Sequence, residues 1–335
     1  MLYLHSVGHF FPENVIDNEF LRSLDIGTDE DWILERVGIH TRRTVLPLEY
    51  IRKTRNRDPR EANAAALYSN AQTGVYAARM ALERAGVKPA DIGMVISGGC
   101  SPQWTIPPEA CLIAAELGID APAFDVNSAC SSFAAQLHFL NMMKPSSSPD
   151  FVLLVNAENN TRVVDYNDRR TAVLWGDGTA AAVVSPEIPA QARIVFSSFH
   201  SDPRGWSKVT IPVGGHFNQE GSAVQAFAIR TTVATLKELR RHARCNPEEL
   251  LFIGHQANLL MLQSVCDRAG IGKEQHLFNV DTFGNCGAAG APSVLSQHWD
   301  DFAEGDEMAL VVVGSGLAWG GLLIRFGGED SYEVQ

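Results

Sequence analysis

AFDVNSACSSFAAQLHFL (residues 123–140) passes from an extended run to a helix within one short stretch. Residues 123–126 are β-like, small residues fill 128–132, and Phe133 onward reads as a helix. Cys130 therefore stands at a strand-to-helix junction, where free backbone N–H groups and the helix dipole favour an anion. A thiol with an ordinary pKa of about 8.5 is drawn toward thiolate in such a place. Taken alone, a small buried cysteine at the start of an Ala/Ser-rich helix explains the stretch as well.

Working outward, the same passage from apolar run to small or polar residues recurs. IGMVISGG (92–99), FVLLVNAE (151–158), TAAAVVSP (179–186), RIVFSSF (193–199), LLFIGHQ (250–256), MALVVVGSG (308–316) and GLLIRF (321–326) fit buried strands. Between them, 62–86, 224–243 and 258–270 carry helical patterns, and Gly86 and Gly270 suit C-caps. MKPSSSPD (143–150) reads as an exposed turn. The alternation implies an α/β fold with largely parallel or mixed sheets. Each half shows an Ala- or Leu-rich helix, then ADIGMVISGG or PEELLFIGHQ, then a reactive-looking residue. A duplicated βαβαβ core is expected, with residues 1–185 as one half and 186–335 as the other.

The balance of 45% hydrophobic and 20% charged residues is that of a globular protein. No run approaches the roughly 18 apolar residues of a membrane helix. The opening MLYLHSVGHFFPENV lacks a basic segment followed by a long apolar one, so a cytoplasmic location without membrane association is expected. A net charge of −12 argues against nucleic acid as a partner. The six cysteines form no CxxC pair and no zinc-like spacing with histidine, so no metal is expected. Against the acidic background, Arg36, Arg42, Arg43, Arg52, Lys53, Arg55, Arg57 and Arg60 make 36–60 locally basic. That stretch is either a solvated surface or a landing place for an anionic partner.

Two more junctions stand out. In LLFIGHQANLLML an apolar strand runs into His255, which places the imidazole at a strand end facing a crevice. In DTFGNCGAAGAPSVL, Asn285 sits among Gly284, Gly287 and Gly290, which permit tight turns and close backbone approach. Separately, a loop histidine and a turn asparagine would be ordinary. Cys, His and Asn in that order, each at such a junction, resemble the active site of the condensing enzymes of the thiolase superfamily. More narrowly, the chain resembles the β-ketoacyl-acyl-carrier-protein synthase III family. The likeness runs almost end to end through VGHFFPENVIDNEFL, TDEDWILERVGIHTRR (28–43), PPEACLIAAELGI (107–119), DVNSACSSF, LWGDGTAAAVV (174–184), GHQAN, FGNCGAAG and GSGLAWGGLLIRF.

The resemblance implies a thiolase fold, two halves forming a five-layered αβαβα core, and a homodimer. It implies that Cys130 takes an acyl group from acyl-CoA, and that His255 and Asn285 assist decarboxylation of malonyl-acyl carrier protein. Imidazole and amide N–H donors suit a developing enolate oxygen. Backbone N–H groups of Cys130 and Ser315 would form the oxyanion hole. Trp32, Arg36 and Arg169 match the residues that clamp the CoA nucleotide, and Asn258 matches one lining its pantetheine channel. CoA enters as a substrate, and no tightly bound cofactor is implied.

The chain departs from the family pattern in several places. Gly-Asn-Thr-Ser-Ala-Ala-Ser appears as GNCGAAG, Arg170 replaces a glycine after the nucleotide arginine, and Leu260 replaces an arginine used in carrier docking. Residues 44–62 read as a basic insertion that covers the acyl tunnel or docks the carrier. At the acyl-pocket gate, closed in short-chain members by a partner-subunit phenylalanine, stands Ile106, preceded by Trp104 and Thr105. A smaller gate leaves room for extra methylenes, each contributing about 0.8 kcal/mol when buried, which favours a medium-chain primer; Trp104 filling the space would reverse this. Other readings are acyl transfer or non-malonyl condensation in a secondary-metabolite pathway, and a non-catalytic acyl-binding partner. Such relatives often alter the Asn or His, or lose the Cys, and all three are intact here. A cleaving thiolase would need a second cysteine near the C-terminus, and GSGLAWGG has none.

Overall fold

Apolar, β-branched runs build the strands of this computed structural model, which describes residues 2–144 and 147–327. The strands are β1 (Leu2–Phe10), β2 (Asn14–Asp17), β3 (Thr41–Thr44), β4 (Ile92–Ser97), β5 (Ala123–Asp125), β6 (Phe151–Glu158), β7 (Gly178–Ser185), β8 (Ala192–Ser201), β9 (Val209–Thr210), β10 (Asn218–Gln219), β11 (Leu251–Gly254), β12 (Glu307–Gly314) and β13 (Ala318–Phe326). The helices are α1 (Asn18–Ser23), α2 (Glu30–Val37), α3 (Leu48–Thr54), α4 (Pro59–Ala65), α5 (Asn70–Ala85), α6 (Glu109–Leu117), α7 (Ser132–Met142), α8 (Arg169–Ala172), α9 (Gly221–Leu239), α10 (Leu259–Ala269), α11 (Val280–Phe283) and α12 (Gly290–Gln297).

Nine strands hydrogen-bond in the order β11-β12-β13-β8-β1-β7-β6-β4-β5. The order repeats from each edge inward. In the N-terminal part β4 is parallel to β5 and β6, β6 is antiparallel to β7, and β7 is antiparallel to β1. In the C-terminal part β11 is parallel to β12, β12 antiparallel to β13, and β13 antiparallel to β8. A parallel bridge between Phe252 and His276 occupies the place that β5 holds in the first set. The two sets join where β1 pairs with β8 over Leu2–Leu4.

Helices α5 and α6 cover the outer face of the first set, and α9 packs on β12 and β13 of the second, with α10 against α9. Helix α7 touches β1, β6, β8 and β13, and α12 touches β1, β7 and β11, so both lie between the two sets of strands. The result is a five-layered α/β thiolase fold. Burial explains the composition of the middle layer. Ser132 through Leu137 of α7 and Gly290 through Ser296 of α12 are all buried, and their small residues let the two sets of strands close on one helix layer. Phe133, Leu137, Val294 and Leu295 join Leu154, Leu310 and Leu322 in the central core.

One expected helix is two. The pattern at 62–86 breaks at 66–69, because Ser69 opens a capping box: Gln72 N–H donates to Ser69 Oγ at 3.1 Å and Ser69 N–H donates to Gln72 Oε1 at 2.9 Å. Gly86 closes α5 in the left-handed conformation, as read from the sequence. Of the turn expected at 143–150, residues 145 and 146 lie outside the described residues. Segment 44–62 folds as α3 and the start of α4, with Ile51 and Ala62 packed into the same cluster as Cys130 and Phe217.

Leu154 is fully buried on β6. Leu154→Ala should lower the unfolding free energy by about 2–5 kcal/mol, read as a lower urea midpoint. A loss well under 1 kcal/mol would mean that this layer is not close-packed.

Candidate active site

Ala129–Ser131 form a single tight turn between β5 and α7. Ala129 has φ +46°, a left-handed conformation that disfavours side chains. Three serines hold it: Ser128 N–H donates to Ser132 Oγ at 2.9 Å, Ser132 Oγ donates to the Ala129 carbonyl, and Ser131 Oγ donates to the Ser128 carbonyl, the latter two at 2.7 Å. The end of β12 presses on this turn from the other half. A Cβ at Gly314 would stand 2.8 Å from the Ser131 nitrogen, so only glycine lets the two loops approach. Ser315 consequently lines the same cavity as Cys130.

His255 follows β11 and is buried. Gln256 fixes the loop behind it, donating to the Gly254 carbonyl at 2.8 Å and accepting from the N–H groups of Asn279 and Val280. His255 Nδ1 has no hydrogen-bond partner among the described residues, and the imidazole helps hold the Cys130 thiol below its ordinary range. Asn285 is tied through its backbone to Leu174 and Gly176. Its Oδ1 accepts from Gly287 N–H at 3.0 Å, which leaves the Nδ2 hydrogens as the groups it can offer. Cys130, His255 and Asn285 all line one cavity of about 460 Å³.

A residue that sequence reasoning missed touches the nucleophile. Cys100, in the loop after β4, places its sulfur 3.4 Å from Cys130 Sγ. The Cys100 thiol and then His255 hold the Cys130 thiol well below the ordinary range, against the opposing effect of burial. Cys100 is correspondingly pushed up. Fully buried Glu158 accepts from the backbone N–H groups of Cys100 and Ala288, and burial followed by the Cys130 charge raises its pKa to about 8. Burial and the sulfur pair therefore push Glu158 up while the Cys130 thiol is pushed down. No sequence pattern pointed to Cys100, because its relation to Cys130 exists only through the parallel pairing of β4 with β5.

The other residues singled out from sequence fall in four places. Asn258 caps α10, accepting from Met261 N–H at 2.8 Å, and lines the cavity. Trp32 and Arg36 line its mouth. Arg169 does not; its guanidinium lies 4.9 Å over the Trp32 ring and donates to the Gly27 carbonyl. No purine fits between the two in this arrangement, so the expected sandwich is closed. Arg170 instead lines the mouth, paired with Asp168 at 2.9 Å. Ile106 and Trp104 are 80% and 57% exposed and line neither of the two cavities that reach Cys130. A second cavity of about 200 Å³ lies on the other side of Cys130, lined by Cys100, Asn127, Trp175, Ile211 and Phe217 among others.

The family model described as 3-oxoacyl-[acyl-carrier-protein] synthase III matches residues 124–203, and its C-terminal counterpart matches 241–326. The chain is 32% identical to a β-ketoacyl-[acyl-carrier-protein] synthase III of Syntrophomonas wolfei, over 97% of both chains. It is 30% identical to the enzyme of that name from Helicobacter hepaticus, over 98% of both. The crystal structure of 3-oxoacyl-[acyl-carrier-protein] synthase III from Aquifex aeolicus superposes with a TM-score of 0.86 at 28% identity, covering 97% of this chain and 100% of that one.

A lowered thiol pKa keeps the thiolate present as pH falls. Alkylation of Cys130 by iodoacetamide should therefore be fast and nearly flat through neutral pH. Cys245 and Cys266, whose thiols are pushed up to about 11, should stay slow over the same range. A Cys130 rate that climbs with pH like an ordinary thiol would contradict the shared-sulfur geometry.

Proposed function

The chain belongs to the β-ketoacyl-[acyl-carrier-protein] synthase III family, and from that premise we propose how its residues perform the chemistry. It is a condensing enzyme of the acyltransferase class with a role in fatty-acid synthesis. In the proposed reaction an acyl-CoA and malonyl-acyl carrier protein give β-ketoacyl-carrier protein, CO2 and CoA, with no tightly bound cofactor.

Cys130 thiolate attacks the thioester carbonyl, backbone N–H groups of Cys130 and Ser315 hold the oxyanion, and CoA leaves as thiolate. Malonyl thioester then enters the emptied cavity. His255, with its proton on Nε2, and Asn285 Nδ2–H donate to the thioester oxygen as CO2 departs and enolate charge develops. The enolate carbon attacks the acyl-cysteine and Cys130 leaves. The observation that carries this reading is the convergence of Cys130, His255 and Asn285 on one cavity, where the Cys130 thiol is held below its ordinary range.

Residues 1–185 and 186–335 are proposed as the two halves, meeting between β7 and β8. The first supplies the nucleophile and the second His255 and Asn285. A homodimer is proposed as the working form, in the cytoplasm. Strand β5 is at a sheet edge with Phe124 exposed, and Trp104 and Ile106 stand exposed on the loop before α6. Ile106 would then gate the partner's acyl pocket. The second cavity beside Cys130 supports a medium-chain primer. Trp32, Arg36 and Asn258 are proposed to receive CoA, with Arg169 lifting from Trp32 to admit the adenine. For 44–62 the cover reading is favoured over carrier docking, since Arg52 and Lys53 pair with Glu49 and Arg60 with Asp58. The segment also holds the loop bearing Phe217, with His216 Nε2 and the Asn56 carbonyl 2.7 Å apart.

Incubation with acyl-CoAs of graded length should add one acyl mass to the wild type, most for a medium chain, and none to Cys130→Ala. An adduct persisting in that variant would remove Cys130 as nucleophile. Asn285→Ala should still acylate but condense about 10²–10³-fold more slowly. Equal loss of both half-reactions would instead assign Asn285 a structural role.

A further inference from the structure

The mechanism uses one thiol, yet two sulfurs face each other at its centre. Cys100 Sγ lies 3.4 Å from Cys130 Sγ, and a disulfide needs about 2.05 Å, so a closure of little more than 1 Å joins them. The Cys100 backbone belongs to neither a helix nor a strand, and Glu158, which accepts its N–H, also faces its thiol, so the side chain is held beside Cys130. Both sulfurs line the 200 Å³ cavity, which a small oxidant can enter. The other buried thiol nearby in sequence to the site, Cys286, points its sulfur at the Phe283 carbonyl instead.

We propose that Cys100 is the resolving partner of Cys130: hydroperoxide converts the pair to a reversible disulfide that switches the enzyme off and shields its nucleophile. The first step forms an S–O bond as Cys130 thiolate attacks the distal peroxide oxygen; the O–O bond breaks, and hydroxide or alkoxide leaves and takes a proton from solvent. In the second, Cys100 sulfur attacks the sulfenic sulfur, the S–S bond forms and the S–O bond breaks. The departing hydroxide takes the Cys100 proton and leaves as water. Two thiols are oxidised and one peroxide is reduced.

The charge arrangement favours this order. While Cys130 is a thiolate its charge keeps Cys100 protonated, so Cys130 is the sulfur that meets peroxide. Once Cys130 is a neutral sulfenic acid, that restraint on Cys100 is gone. Without a resolving thiol the sulfenic acid goes on to sulfinic acid, which thiol reductants do not reverse.

The test is hydrogen peroxide on the reduced full-length enzyme without acyl donor, followed by cleavage after glutamate. That cleavage separates Cys100 (residues 84–109), Cys111 (110–116) and Cys130 (117–158) onto different peptides. The expected product is 84–109 joined to 117–158, about 2 Da lighter than the sum of the two thiol peptides and separated again by dithiothreitol. Reduction should restore iodoacetamide reactivity at Cys130. In Cys100→Ser and Cys100→Ala the joined peptide should be absent, Cys130 should be found as sulfinic acid, and recovered reactivity should be at least about five-fold lower than in the wild type. Wild-type peptides that stay unjoined, with Cys130 over-oxidised as in the variants, would overturn the proposal. So would a Cys130 disulfide to any other cysteine. Because the wild-type peptide map needs no variant and no substrate, its outcome is independent of variant folding and of the condensation reading.

Discussion

Confinement of α7 between the two sets of strands is the constraint on which the rest depends. Helix α7 meets strands of both halves, so its buried residues are mostly small or apolar, and its start lies at the seam. The chain reaches that start through a left-handed alanine turn pinned by three serine hydroxyls. The glycine at the end of β12 allows the opposite half to touch the turn from the far side. Strain of about 1–3 kcal/mol at such a residue persists only where its surroundings over-determine it. Here they do, and the reward is a sulfur held at the meeting point of two cavities.

Electrostatics then decides what the buried sulfur is. Several acidic groups crowd the seam, and a low-dielectric interior does not support two adjacent anions. Cys100 and Glu158 are pushed up, and Cys130, in contact with the Cys100 thiol and faced by His255, is pushed down. Glu158 also ties the halves together, since one carboxyl receives the N–H of Cys100 from the first and that of Ala288 from the second. The same residues that order the seam therefore set the protonation state on which nucleophilic chemistry depends.

Much of this was legible in the sequence because the middle layer writes itself in small residues. SACSSFAA and GNCGAAGAPS are unusual as surface helices and natural as helices between sheets, and both end strand-like runs. Strands such as 151–158 were legible because burial on both faces leaves an unbroken apolar run. The first strand was harder: His5, Ser6 and His9 interrupt it, and they are accommodated by tertiary partners, such as Ser6 Oγ donating to the Ala81 carbonyl. The break at 66–69 lay in a Ser-x-x-Gln box masked by flanking alanines. Contacts between distant segments left no local trace at all. Cys100 beside Cys130 and Arg169 resting on Trp32 exist only once the topology is known, and Ile106 lines neither cavity at Cys130.

The central claim is that the acyl group carried by Cys130 is the electrophile of a decarboxylative condensation. The most direct measurement is a single-turnover chase: isolated acyl-enzyme is mixed with malonyl-acyl carrier protein, and the protein and carrier masses are followed together. The account predicts that loss of the acyl mass from Cys130 and gain of the β-ketoacyl mass on the carrier occur at one rate. An acyl-enzyme that hydrolyses or persists while the carrier remains malonylated would contradict it.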